Sequence, residues 1–144
     1  MLMISKWNDV IYLIWIDVVV EKCHFSCFSI LDFWLNGNII VGNNAAQTIT
    51  SEDDNVIIGY QAGYKTAYHS QIAIGSKAAY NTCGSGGWTN TVSGLCAAYA
   101  NTSGQSSVFV GPYAGKCIAS GNYNAMFGQK AGFTMDSGSG NSVF

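Results

Sequence analysis

The sequence predicts an all-β protein: a parallel β-solenoid of about six coils of 16–19 residues, preceded by an apolar N-terminal segment outside the repeat. Three observations lead there. A glycine recurs at Gly42, Gly59, Gly75, Gly94, Gly111 and Gly128, in steps of 17, 16, 19, 17 and 17 residues. The third residue after each is always alanine (Ala45, Ala62, Ala78, Ala97, Ala114, Ala131), and the fourth is alanine or glycine (Ala46, Gly63, Ala79, Ala98, Gly115, Gly132). A short run of strand-forming residues stands before each glycine, as in Ile39-Ile40-Val41, Val56-Ile57-Ile58 and Val108-Phe109-Val110.

Residues 1–37 lie outside the array. The stretch 10–20 is β-branched and carries Asp17, which favours a strand over a helix. It falls short of the roughly 20 apolar residues that a membrane helix needs. Lys6 followed by Asp9, with no small-residue cleavage site after Val20, does not make a signal peptide. With Phe25, Phe28, Phe33 and Trp34 in the next stretch, the segment reads as a hydrophobic cap or the remnant of a preceding module. Membrane contact through residues 10–35 is the alternative.

The array is expected over residues 38–144. With each repeat glycine as position 0, position −4 is Asn38, Asn55, Gln71, Asn90, Ser107 and Asn124, always small or amide-bearing. The invariably small residue at +4 implies a crowded position. Units of about 17 residues cannot close a core alone, so coils must stack, each pairing its short strands, at most two, with those above and below. Stacking at one strand spacing makes six units a rod roughly 29 Å long and sets like residues in ladders. Tyr64, Tyr80, Tyr99 and Phe133 at +5, interrupted by Lys116, are expected to form one such ladder by stacking and rim packing. Thr91-Val92-Ser93 is the least apolar run and follows the longest step, so irregularity is expected there. Turn-rich pieces separate the runs, at residues 51–54, 84–87 and 137–140. Residues 141–144 read as the opening of a seventh unit, so the array is expected to be truncated at its C-terminal end.

The unit Asn-x-[hydrophobic]-[hydrophobic]-Gly-x-x-Ala-[Gly/Ala] resembles the head repeat of trimeric autotransporter adhesins and similar repeats in phage and giant-virus tail fibres. That resemblance implies a left-handed parallel β-roll in each chain and a homotrimer of chains packed side by side. It further implies an attachment role at a cell or virion surface, toward a host-surface protein or glycan.

Composition excludes several chemistries. Charged residues are 10% of the chain; residues 55–144 hold four lysines and one carboxylate, too thin a charge for nucleic acid. Glycoside hydrolysis needs two carboxylates across one bond, and beyond Gly59 the array has only Asp136. Glu52, Asp53 and Asp54 share one turn and read as solvated charge. The cysteines Cys83, Cys96 and Cys117 fall at different offsets, so no disulfide framework is implied. Cys23, His24 and Cys27 lack a second ligand pair at zinc spacing, and the turns lack the Gly-Gly-x-Gly-x-Asp pattern of calcium-binding rolls. No Ser, His and carboxylate set is apparent, with His24 and His69 the only histidines. No catalytic, metal or cofactor site is therefore expected.

Two other functions stay open at this stage. Residues 58–63, 74–79 and 110–115 each match one aliphatic-Gly-x-x-small-x hexad of the left-handed β-helix acyltransferases, with His69 the candidate general base. Residues 64–69 break the hexad rule, and the steps miss a fixed 18. A single-chain surface-binding solenoid wants regular threonine rows, whereas Thr48, Thr50, Thr66, Thr82, Thr89, Thr91, Thr102 and Thr134 fall in differing phases.

Overall fold

The structure is a computed structural model that describes residues 3–7, 10–14, 37–49, 52–67, 69–82 and 89–144. Strands β1 (Met3–Trp7) and β2 (Val10–Ile14) form an antiparallel pair, in which Met3 faces Ile14 and Trp7 faces Val10. The strand expected from residue 10 onward is present over its first five residues, and its continuation from Trp15 lies outside the described residues. So do Phe25, Phe28, Phe33 and Trp34.

The array is a parallel β-solenoid. Seven short strands, β3 (Ile39–Val41), β4 (Val56–Ile58), β5 (Ile72–Ile74), β6 (Thr91–Ser93), β7 (Val108–Val110), β8 (Ala125–Phe127) and β9 (Ser142–Val143), stack in sequence order into one sheet. Ile40, Ile57, Ala73, Val92, Phe109 and Met126 lie in one register column, as their common place two residues before the glycine requires, and Val143 adds a seventh rung. In the 19-residue step β6 pairs in full register with both neighbours, so the irregularity expected there is not in the sheet; residues 83–88 of that step lie outside the described residues.

A second difference concerns the other side of each coil. Where a second strand was expected, the chain runs through a turn with φ of 48–62° at both +2 and +4 in all six coils, as at Gln61 and Gly63 or Cys96 and Ala98. These left-handed residues alternate the direction of the backbone amides. The +2 N–H donates to the +1 carbonyl of the preceding coil (Gln61 to Asn43 2.9 Å, Tyr113 to Leu95 2.8 Å). The +4 N–H donates the other way, to the +3 carbonyl of the following coil (Ala46 to Ala62 2.9 Å, Gly115 to Ala131 2.8 Å). Inter-coil hydrogen bonding thus continues through the turn without strand geometry. Each non-glycine residue held there costs about 1 kcal/mol, and the stacked bonds offset it.

The repeat glycine has a steric cause. Its φ is 124–139° in every coil, a region closed to L side chains, and at Gly59, Gly75 and Gly94 an added Cβ would sit 2.5–2.7 Å from the carbonyl oxygen of the next coil's glycine. At −4, the side-chain oxygen of one coil accepts from the backbone N–H of the next. Asn38 Oδ1 takes Asn55 N–H (2.9 Å), Asn55 takes Gln71 (2.8 Å), Asn90 takes Ser107 (3.0 Å), Ser107 Oγ takes Asn124 (3.0 Å) and Asn124 takes Asn141 (3.1 Å). Gln71 is one methylene longer and bonds inward instead, with Oε1 accepting from Thr66 Oγ1 at 3.2 Å and Nε2 donating to Thr82 Oγ1 at 3.4 Å.

The core is narrow and lined by alanines. Ala62, Ala78, Ala97 and Ala114 at +3 are fully buried beside the strand centres. In coils two to six the choice between Ala and Gly at +4 follows the size of the strand centre in the same coil, whereas the first coil combines Ile40 with Ala46. Small Ala73 and Val92 go with Ala79 and Ala98, whereas bulky Ile57, Phe109 and Met126 go with Gly63, Gly115 and Gly132. A Cβ on Gly115 would run into the Phe109 ring, and one on Gly132 into Met126. A further column, +7, closes the core with Ile49, Thr66, Thr82, Asn101, Ile118 and Met135. Its polar members are bonded: Thr82 Oγ1 donates to the Ala79 carbonyl at 3.0 Å, and Asn101 Oδ1 accepts from Gly104 N–H at 2.6 Å.

This complementarity predicts non-additive mutants. Gly115→Ala alone should destabilise by about 1–3 kcal/mol through overpacking. In a Phe109→Val background, which reproduces the Val92 and Ala98 pairing, the same change should cost much less. Urea denaturation of the double-mutant cycle measures the coupling, and strict additivity would show that the two positions do not share one space.

Candidate functional site

With the −2 column buried, strand alternation turns −3 and −1 outward. These positions carry Ile39, Val56, Ile72, Thr91, Val108 and Ala125 in one column, and Val41, Ile58, Ile74, Ser93, Val110 and Phe127 in the other. Ile39 is 54% exposed, and Val41, Ile72, Ile74, Val110 and Phe127 are also well exposed. Neither column contains a charged residue over six coils. Thr91 and Ser93 of the fourth coil are the polar interruption. Leu95, at +1 of the same coil, is also exposed. The sequence marked these runs as strand formers, and the alternation decides which of their side chains face out.

The +5 column is the second surface feature. Tyr64 and Tyr80 stack with centroids 4.9 Å apart and planes 5° from parallel; Tyr80 and Tyr99 repeat this at 4.9 Å and 11°. Each ring covers its neighbour's face, so the ladder shows mainly edges to solvent, unlike a platform that offers open faces to a sugar. Lys116 ends the stack as expected but joins an aromatic cluster, its Nζ lying 5.5 Å from the Tyr113 ring and 5.6 Å from that of Phe133. Lys130 Nζ lies 5.9 Å from the same Phe133 ring.

The candidate chemical groups do not converge. His69 is exposed, and its Nδ1 accepts the Asp53 backbone N–H at 2.9 Å, so the ring ties two adjacent coils together. The same turn is closed by Ser70 N–H donating to the Asp53 carbonyl at 2.9 Å. Asp54 is exposed with φ of 59°, and Glu52 and Asp53 are half-buried. Cys96 at +2 is half-buried and Cys117 at +6 exposed, and both are free thiols. Among the described residues, no three His, Cys, Asp or Glu side chains come together as metal ligands would. Cys23, His24, Cys27 and Cys83 lie outside the described residues. No helix among the described residues is long and apolar enough to cross a membrane.

Thr66 and Thr82 are buried in the core, while Thr48 and Thr102 are exposed and donate to the Tyr64 and Ala119 carbonyls of the following coil at 3.2 and 2.9 Å. These four described threonines therefore share no outward row of the kind a surface-binding solenoid would present. For the acyltransferase alternative, His69 is the residue to test. Isothermal calorimetry with acetyl-CoA is expected to show no binding, and binding that is lost in His69→Ala would establish a catalytic reading instead.

Comparison of the chain with protein-family models, with curated proteins and with solved structures finds no match, so any functional assignment rests on the surfaces just described.

Proposed function

We propose that the array is a structural and adhesive segment of a surface fibre, an adhesin head or tail-fibre shaft, that works as a homotrimer and has no catalysis of its own. The observation that carries this reading is the outward strand face, two columns without a charge across six coils and aliphatic or aromatic except at Thr91 and Ser93. A face of that kind on an extended rod is costly in water. Three identical chains packed side by side would cover it along its whole length, and closed cyclic symmetry would leave no copy of the face unpaired. The likeness of the repeat to adhesin-head and fibre repeats supports the same stoichiometry and a place at a cell or virion surface.

A rod of this build suits a stalk. Its strength lies along its axis in hydrogen bonds between coils, and the working end that recognises a host-surface protein or glycan would be a separate feature held away from the surface. The thin alanine core gives each chain little burial to set against the ordering of its turns, so association would contribute to folding itself.

Light scattering of the full chain is expected to report three times its 15.3 kDa mass. Ile74→Lys and Val110→Lys, each placing a charge on the outward face, should shift the mass toward one chain and lower the thermal stability read by far-ultraviolet circular dichroism. A stable monodisperse monomer of the unchanged chain at micromolar concentration would refute the trimer and, with it, the fibre reading.

A further inference from the structure

The tyrosine ladder holds three phenols in a geometry that the stacking of coils does not itself require. Column +5 accepts glutamine at Gln47 and lysine at Lys116, so the rod can be built without aromatic rings there. Coils two, three and four nevertheless place Tyr64, Tyr80 and Tyr99 face to face at 4.9 Å, within 11° of parallel, and half-buried. Because the rings are related by translation along the rod, like atoms of neighbouring rings lie about as far apart as the centroids. The Cε carbons beside the hydroxyls of neighbouring rings are therefore separated by about the same 4.9 Å. Coupling requires both rings to swing out of the stack until the new bond lies in the plane of each, a rotation for which the half-exposed side chains leave room.

We propose that this column is an oxidative crosslinking site, at which a peroxide-driven one-electron oxidant joins Tyr80 to Tyr64 or to Tyr99 as dityrosine. Each phenol gives up one electron and its hydroxyl proton. The two phenoxyl radicals couple through a new Cε–Cε bond, and the hydrogens on those two carbons move to the oxygens to restore both phenols. The pair loses two electrons and two protons in all, and one hydrogen peroxide takes them up to become two waters. A bond between Tyr64 and Tyr80 closes a loop of 16 residues, and one between Tyr80 and Tyr99 a loop of 19. Each spans one coil interface and acts as a disulfide would, by restricting the unfolded chain. The described cysteines cannot do this: Cys96 and Cys117 sit at different offsets and are not paired. The proposal depends on the register of the coils and not on the trimer.

The test is oxidation of the full chain with hydrogen peroxide and a haem peroxidase, read by dityrosine fluorescence and by mass spectrometry of digested peptides. The expected products are peptides linked through Tyr64 and Tyr80 or through Tyr80 and Tyr99, lighter by two hydrogens, in a yield independent of protein concentration. Tyr80→Phe should lose both products while keeping the stack, since Phe133 already occupies this column. Tyr64→Phe should lose only the first, which guards against a folding defect as the cause. Tyr123→Phe, at the most exposed tyrosine among the described residues (68%) and outside the column, should leave both in place. Dityrosine that is absent, that forms only between chains through Tyr60 or Tyr123 with a yield rising with concentration, or that survives Tyr80→Phe would overturn the proposal.

Discussion

The structure depends on main-chain hydrogen bonding between successive coils at one strand spacing. Because the −3 N–H always meets the next coil's −4 carbonyl and the glycine N–H always meets the preceding coil's −1 carbonyl, every position from −4 to the glycine stacks on its own counterpart. Side chains are then chosen to suit a copy of themselves a few ångströms away. A column tolerates residues that gain from self-stacking, such as amides, alanines and aromatic rings, and excludes those that crowd. The glycine column is the extreme case, since there the carbonyl of the next coil occupies the space a Cβ would need.

Coil interfaces of this kind make local sequence choices depend on both neighbours. The −4 amide belongs to one coil by its backbone and to the next by its acceptor, so it works only as a series. Asn38, Asn90 and Asn124 also send Nδ2 to a carbonyl 14 residues on, at 2.8–2.9 Å, whereas the buried Asn55 Nδ2 has no hydrogen-bond partner among the described residues. The step after Asn55 is the 16-residue one. A coil one residue shorter keeps its strand in register and gives up that bond, at a cost of about 1–3 kcal/mol for a buried unsatisfied group.

The glycine and alanine columns made the register legible in the sequence, because a position that admits one residue type repeats visibly. The +7 column was not legible in that way. Ile49, Thr66, Thr82, Asn101, Ile118 and Met135 share a place in the core but mix aliphatic and polar residues, since the wider space there can be filled by a branched chain or by a bonded hydroxyl or amide. A second glycine series, Gly104, Gly121 and Gly138, was readable at a spacing of 17 residues and was missed because it covers only the later coils. An added Cβ on Gly104 would lie 2.6 Å from the Gly121 carbonyl oxygen, the same crowding as at the main column. The turn in place of a second strand was hidden for another reason. Its left-handed residues include Gln61, Lys77, Cys96, Tyr113 and Lys130, which carry no local preference for that conformation and adopt it only because coils stack on both sides.

The two outward features differ in what they leave unsatisfied, and that difference separates their roles. In the tyrosine column each ring already has its face covered by the next coil, so the contact is completed within one chain. On the strand face the neighbour along the column covers only the flank of each aliphatic group, and the outward end of Ile39, Ile72 or Val110 has nothing over it. Lengthening the rod cannot remedy this, because each added coil repeats the exposure. Further burial of this face would have to come from the side, and under the proposed trimer a second surface of matching length and polarity would supply it. A copy of the same face has both by construction.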